Sequence, residues 1–378
     1  MNAIYLDNNA STPMLPTVWE AMLPYLGERP GNPASSHRFG RQARQALEDA
    51  REKIAALLDA HPDEVLFTSG ATEANNLAVF GLIGSPPGAI VSSPIEHPSV
   101  FEPIQHLVKQ GFTFKPLPIS ALGCVEAAQC PEDTRLVAVM LANHETGAVQ
   151  PIEAMAQALD GRIPFHCDAA AAAGKMPISF HKLGVTTLTL SAHKFHGPKG
   201  IGALLVRKGA RLKALLHGGH QQQGKRPGSE PVPLAVGMAK ALEWSLQNLS
   251  AHRVHLMQLR RQFLAQLQAQ AEPIVLNGPE QDGLPHALNL SFPGCRADAL
   301  LMSLDLADVA CSTGSACSSG SLLPSPVLAA MGKTGDVLHS AMRFSFSPLN
   351  SCEEIDEAAR RIVQCVNRLR QSISDPPN

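Results

Sequence analysis

The 378-residue chain carries no excess of positive charge: 31 Lys and Arg stand against 33 Asp and Glu. Without a long-range positive field nothing holds a nucleic-acid backbone or an acidic membrane surface, and a small-molecule partner is expected. The chain also lacks the short Cys-x-x-Cys spacing of a structural zinc site. Its cysteines, at 124, 130, 167, 295, 311, 317, 352 and 365, are mostly isolated and read as free thiols in a reducing compartment. No uninterrupted apolar run is long enough to span a bilayer, and Met1 to Asp7 has no basic segment followed by an apolar stretch. A soluble, cytoplasmic protein is the expectation.

Core-forming material is plentiful. Hydrophobic residues make up 44% of the chain, enough for one large domain and a smaller one without crosslinks. Between Val65 and Val206, short apolar runs alternate with helical patterns: 65–68, 89–92, 136–141, 163–167 and 187–190. This alternation predicts an α/β fold with a mostly parallel sheet covered by helices, whose ligands sit at the strand ends. Helical spacing covers 36–60 and 234–269, the second stretch suited to carry the chain from one domain into the next. Later, 286–292 and 342–347 read as strands around a helix at 297–304 and a Gly/Ser-rich loop, a smaller α+β unit. Ser351 and Glu354 have capping-box spacing ahead of a final amphipathic helix.

Asp168 and Lys194 each follow a strand, and one βαβ step sets them side by side. Pyridoxal phosphate needs such a pair, an amine for the Schiff base and a carboxylate for the ring nitrogen. Taken singly, either is an ordinary solvated side chain. Thr68 to Glu73 follows a strand and opens a helix, so its small residues can cradle a phosphate at the helix N-terminus or simply form a capped turn. His97 and Asn143 stand at two further strand ends. An imidazole there can stack on a planar ring or be satisfied by backbone, and an amide can bind a phenolic oxygen or a carboxylate. Cys311 to Ser321 is a run of small residues that presents Cys317 on a mobile loop, or is a connector with an incidental cysteine.

Taken together, these marks make the sequence resemble the cysteine desulfurases of the class-V aminotransferase group, pyridoxal-phosphate fold type I. The branch is the one whose catalytic cysteine lies on a long mobile loop. The resemblance rests on Tyr5 to Thr12, Gly31 to His37, Ser69 to Glu73, Glu96-His97, Ser191 to Gly200 and Gly314 to Cys317, and it covers nearly the whole chain. It implies a large cofactor-binding domain at 13–252 with a seven-stranded type of sheet, and a small domain of 1–12 and 253–378 that carries the cysteine loop. It makes Lys194 the Schiff-base lysine, Asp168 the partner of the pyridine nitrogen and His97 the residue stacked on the ring. Ala71, Thr72, Ser191 and His193 would hold the phosphate and its surroundings. Asn143 would contact cofactor or substrate, Arg343 would pair with the substrate carboxylate, and Ser229 would reach the phosphate of a neighbouring subunit in a homodimer.

The activity so implied removes sulfur from L-cysteine, giving L-alanine and a persulfide on Cys317 for iron–sulfur cluster or thiocofactor assembly through an acceptor or scaffold protein. No metal site is implied, with contact to an iron–sulfur cluster left open at Cys317. A selenocysteine lyase or cysteine β-lyase on the same scaffold, or a non-catalytic sulfur carrier that binds the cofactor, are the alternatives. The sequence departs from the family at Ala171, where a glutamine would donate to the ring's phenolic oxygen. It departs again at Leu322 to Pro326, after the cysteine loop, and at the Gln-rich stretch His220 to Lys225. Cys311, six positions before Cys317, leaves a second thiol role or a disulfide open.

Overall fold

A computed structural model describes residues 2–126, 128–314 and 324–374. Among these the strands are β1 (Ile4–Tyr5), β2 (Val65–Thr68), β3 (Ala89–Ser92), β4 (Thr113–Pro116), β5 (Thr134–Ala138), β6 (Phe165–Asp168), β7 (Thr187–Ser191), β8 (Gly202–Val206), β9 (Val275–Leu276), β10 (Ala287–Ser291), β11 (Val309–Ala310) and β12 (Ala341–Ser345). No helix is long and apolar enough to cross a membrane, among the described residues.

Strands with almost no polar alternation must be covered on both faces. Accordingly, β2, β3, β6, β7 and β8 are buried along their whole length in a seven-stranded sheet of order β2-β8-β7-β6-β5-β3-β4. Every pair from β7 to β4 is parallel, and only β8 runs against its neighbours. The apolar runs predict five of these strands, with edges shifted by one to three residues for β5 and β6. They miss β8 and also β4, a largely exposed edge strand whose Lys and Pro suit a position without a second partner.

The 234–269 stretch is two helices rather than one, Val232–Gln247 and Leu249–Gln270, joined at Asn248. Asn248 leaves the helical conformation (φ −103°, ψ 8°), and its side-chain amide donates to Trp244 O at 2.8 Å. The break lets each helix serve a different core. The first buries Val232, Ala235, Met238 and Leu242 beside the large sheet. The second buries Leu256, Leu259, Phe263 and Leu267 against the antiparallel sheet β12-β10-β9. The final helix, Cys352–Ser374, starts with the expected reciprocal cap, Glu354 N to Ser351 Oγ at 3.1 Å and Ser351 N to Glu354 Oε2 at 3.0 Å.

The N-terminal segment belongs to the second core. β1 pairs in parallel with β11, and Leu6 O accepts from Ser345 N at 2.7 Å at the end of β12. Residues 7–12 then run on between the two cores.

One glycine permits the turn after β2. Gly202 in β8 pairs with Thr68 on one side and Ser191 on the other. A Cβ there would lie 2.5 Å from Leu190 O and 2.7 Å from the Gly70 carbonyl carbon. Gly70 itself adopts φ 154°, ψ −178°, a conformation open to glycine alone. The variant Gly202→Ala is expected to lower stability by about 1–3 kcal/mol and to push the Gly70 turn off its position. Thermal melting with and without pyridoxal phosphate checks this, and an unchanged melting temperature would refute it.

Candidate active site

The ends of β2, β6 and β7 open on one cavity of about 570 Å³. It lies at the carboxyl edge of the parallel strands, where an open α/β sheet offers side chains and helix N-termini together. Lys194, Asp168, His97, Ala71, Thr72, Ser191, His193 and Arg343 all line it.

Lys194 ends a short 3-10 turn, Ala192–Lys194, that follows β7 directly. Its Nζ donates to the carbonyls of Asn9 and, at 3.1 Å, Ala10. The segment that supplies these carbonyls is held from several sides. Asn9 N donates to Ser345 Oγ at 2.8 Å, Asn9 Nδ2 to His144 O at 3.1 Å, and His286 Nε2 to Asn9 Oδ1 at 2.7 Å. Thr12 Oγ1 donates to His193 O at 2.9 Å and accepts from His196 N at 2.7 Å.

Asp168 closes β6, and its buried carboxylate is held by Asn75 Nδ2 at 2.7 Å and Ala170 N at 2.9 Å. Asn75 is oriented in turn. Its Oδ1 accepts from His166 Nε2 at 3.1 Å, while His166 Nδ1 accepts from Thr187 Oγ1 at 2.9 Å. Burial holds His166 neutral, its pKa down to about 4 although Asp168 opposes this. The same Nδ2 donates to Ser99 Oγ at 2.8 Å, which leaves the Ser99 hydroxyl proton for His97 Nδ1 at 2.7 Å. His97 Nδ1 also accepts Ser99 N at 3.1 Å as the cap of helix Pro98–Val108, so its proton sits on Nε2. Burial lowers the pKa of His97, with Lys194 and Arg343 adding to the shift and Asp168 opposing it. One chain of hydrogen bonds therefore fixes both Asp168 and His97. The spacing does not reveal Asn75, Ser99 or His166; the only sign of Asn75 is a lone amide on an otherwise apolar helix face.

At the opposite end, helix Ala71–Leu82 directs its first turn into the cavity, with His193 and Lys199 beside it. The unpaired N–H groups of that turn and the nearby lysines suit a dianion. Glu73, in the same turn, is neutralised by Arg226 at 2.8 Å. Burial first, then Lys194, Lys175 and Lys199, pushes the pKa of His193 down to about 4. Arg343 is 2% exposed; its Nη2 pairs with Asp7 Oδ1 at 2.9 Å, and its Nε has no partner among the described residues. A carboxylate in the cavity would satisfy that orphaned donor.

Two expected residues stand elsewhere. Asn143 is fully buried and does not line the cavity, because its Oδ1 accepts from Glu145 N, Thr146 N and Thr146 Oγ1 and its Nδ2 donates to Ile95 O. His144 takes that place on the wall, its ring 5.4 Å from that of His97. Ser229 is exposed and outside the cavity. Cys317 lies outside the described residues. The Cys311 thiol is free, and burial pushes its pKa up to about 12, far from thiolate chemistry. Ala171 lines the cavity with a methyl group, and its carbonyl accepts Lys175 Nζ at 3.2 Å.

An anion cradle, an amine, a pinned carboxylate and an orphaned guanidinium donor share one cavity, so the residues fit pyridoxal phosphate with an amino-acid substrate.

Residues 4–358 match the family described as aminotransferase class-V. Cysteine desulfurase IscS of Dictyoglomus turgidum is 40% identical over 375 residues, spanning 97% of this chain and 95% of that protein. Putative cysteine desulfurase IscS 1 of Bacillus subtilis is 40% identical over 378 residues, spanning 98% and 100%. Among solved structures, a NifS-like protein superimposes with a TM-score of 0.91 at 35% identity, covering 97% of this chain and 100% of the other. SspA in complex with cysteine gives 0.81 at 34% identity, covering 92% and 100%.

The buried histidines make the fold acid-sensitive. His166, His193 and His196 are held near pKa 4, and His144 and His286 well below 6.5, all chiefly by burial. As pH falls through about 6.5 the unfolded chain binds protons that the folded one refuses, so stability is lost. Glu96 and Glu145, raised to about 8 and about 7 by burial, bind protons first in the folded state and work the other way, but they are two against five. The melting temperature is expected to fall between about pH 6.5 and about pH 4.5. A rise over that interval would contradict neutral histidines at these five positions.

Proposed function

We propose that this chain, which belongs to the cysteine desulfurases of the aminotransferase class-V family, removes sulfur from L-cysteine and leaves alanine and a persulfide on Cys317. The observation that carries the reading is the convergence on one cavity of Lys194, the pinned Asp168, the N-terminal turn of helix Ala71–Leu82 and Arg343 with its unpartnered Nε. Pyridoxal phosphate, the cofactor of the family, supplies an electron sink for a bond-breaking step at the substrate's Cα.

The chain's own residues do the rest. Lys194 would hold the cofactor covalently, and its Nζ, when free, would carry the Cα proton. Asp168, fixed by Asn75, would keep a proton on the ring nitrogen. His97, with its proton on Nε2, would stack on the ring. Ala71, Thr72, Ser191 and His193 would bind the phosphate, and Arg343 would orient the substrate carboxylate. Asn143 would act through the turn it organises, which carries His144 on the cavity wall. The thiolate of Cys317 then forms an S–S bond as the substrate's Cβ–S bond breaks. The electron pair of that bond stays with the carbon, which takes a proton and leaves as alanine, so no external reductant is consumed.

The enzyme works in the cytoplasm as a homodimer. The exposed position of Ser229 supports a role at the neighbouring subunit's phosphate. The persulfide passes to an acceptor or iron–sulfur scaffold protein.

Purified, cofactor-loaded protein given L-cysteine is expected to yield alanine and persulfide in equal amounts, with L-selenocysteine run alongside. Pyruvate with ammonia would instead mark a β-lyase, and no spectral response would mark a sulfur carrier. Lys194→Ala is expected to lower alanine formation by roughly 10²–10⁴-fold or more and to abolish the visible band of covalently held cofactor. Cys317→Ala should keep the spectral response to cysteine and lose the persulfide. Alanine at the wild-type rate from the first variant, or a persulfide on the second, would sink the assignment.

A further inference from the structure

The three glutamines of the stretch His220 to Lys225, where the sequence departs from its family, each have a partner in the fold. Gln221 Oε1 accepts Gly228 N at 3.2 Å, which closes the loop on itself, and Gln223 Nε2 donates to Asp63 O at 2.7 Å. Gln222 is 6% exposed and adopts φ 49°, a left-handed conformation uncommon outside glycine. Its Oε1 accepts Phe67 N and Arg51 Nη1, both at 3.0 Å, while its Nε2 donates to Glu230 Oε1. β2 is an edge of the large sheet, and this amide fastens the loop to it. An amide donates and accepts at once; neither a carboxylate nor an amine would serve Arg51, Phe67 and Glu230 together.

What the loop delivers is Arg226. Its Nε and Nη2 meet Glu73 Oε1 and Oε2 at 2.8 and 3.2 Å, a two-point contact between half-buried side chains. Glu73 has a task of its own at the start of helix Ala71–Leu82: its Oε2 accepts Ser69 N at 2.6 Å, so the carboxylate shapes the turn. Burial opposes its ionisation, but the bonds from Arg226 and Ser69 outweigh burial, and its pKa is lowered. Glu73 lines the cavity with Ser69, Ala71 and Thr72, whereas Arg226 stands behind it. A negative group there competes with a phosphate for the N–H groups of the first helical turn and repels it through space. The cradle therefore needs the oxygen of Glu73 and not its charge.

We infer that Arg226 is a positioning residue for the cofactor's phosphate: held at Glu73 by the glutamine-locked loop, it cancels the charge of the carboxylate that shapes the cradle, so that a dianion can bind there. The inference rests on pyridoxal phosphate as the cofactor, and on the Gln222–Phe67 and Arg226–Glu73 contacts for its geometry. It also gives a physical part to the glutamine-rich departure from the family.

Full-length protein stripped of cofactor, titrated with pyridoxal phosphate and in parallel with pyridoxal, tests it through the visible band of the covalently held ring. Arg226→Met is expected to weaken binding of pyridoxal phosphate roughly tenfold or more and to leave that of pyridoxal unchanged. Glu73→Gln, which keeps an oxygen for Ser69 N and removes the charge, is expected to bind pyridoxal phosphate at least as tightly as wild type. In the double variant of Glu73→Gln with Arg226→Met the loss is expected to disappear. Equal weakening of pyridoxal, a Glu73→Gln variant weaker than wild type, or a double variant as weak as Arg226→Met would each overturn the role. Glu73→Gln alone decides the matter if Arg226→Met does not fold. Gln222→Ala, which frees the loop, should resemble Arg226→Met, and wild-type affinity in it would overturn the part given to the loop. If wild-type protein takes up no pyridoxal phosphate, the cofactor reading falls. Inorganic phosphate then decides the role of the ion pair, by raising the melting temperature of wild type and not of Arg226→Met; an equal rise in both would overturn it.

Discussion

Asn9 is the point at which the two cores meet chemically. Its carbonyl receives Lys194, its backbone N–H goes to Ser345, and its side chain bridges His144 and His286. Two residues earlier, Asp7 holds Arg343. The amine and the guanidinium come from different sheets, so their mutual placement depends on this short irregular stretch. A segment of that kind stays in place when its polar groups are engaged. In this fold Asn8, Asn9 and Thr12 are engaged at strand ends and the turns beside them, with Asn8 Oδ1 left unpaired among the described residues.

The large sheet contributes a second kind of order. Asp168 is a carboxyl group buried at the end of its strand. Asn75 and the Ala170 N–H supply the hydrogen bonds that make this tolerable, and neutral His166 keeps Asn75 from flipping. Such chains are worth having only when complete, since one missing partner strands the rest in a low dielectric. Ala171 lines the cavity just outside this chain of hydrogen bonds, so Asp168 and His97 keep their partners without a contribution from its side chain.

Much of this was legible in the sequence, for particular reasons. Lys194, Asp168 and the Ser69–Thr72 turn follow apolar runs, and strand ends are where a parallel sheet must put its chemistry. Arg343 was legible only as part of the family resemblance. Asn75, Ser99 and His166 were not legible, because hydrogen bonds across 24 to 93 residues leave no periodic trace. Asn143 and His144 are neighbours, and only the folded turn decides which one faces the cavity. The two helices joined at Asn248 keep helical spacing on either side of the joint, so a pattern search runs through it. β4 is too polar, and β8 too close to the Gly-rich turn before it, to stand out as apolar runs.

The path of the N-terminal segment also sets an order of assembly. Residues 4–10 are made well before their partners in β11 and at the end of β12, more than 300 positions later. The large sheet can form during synthesis from strands that are near one another in the chain. The carbonyls that hold Lys194 cannot be fixed until residue 345 has been made. A growing chain can therefore own a finished sheet and still lack a finished site, which confines cofactor capture in its final geometry to a chain made at least through residue 345.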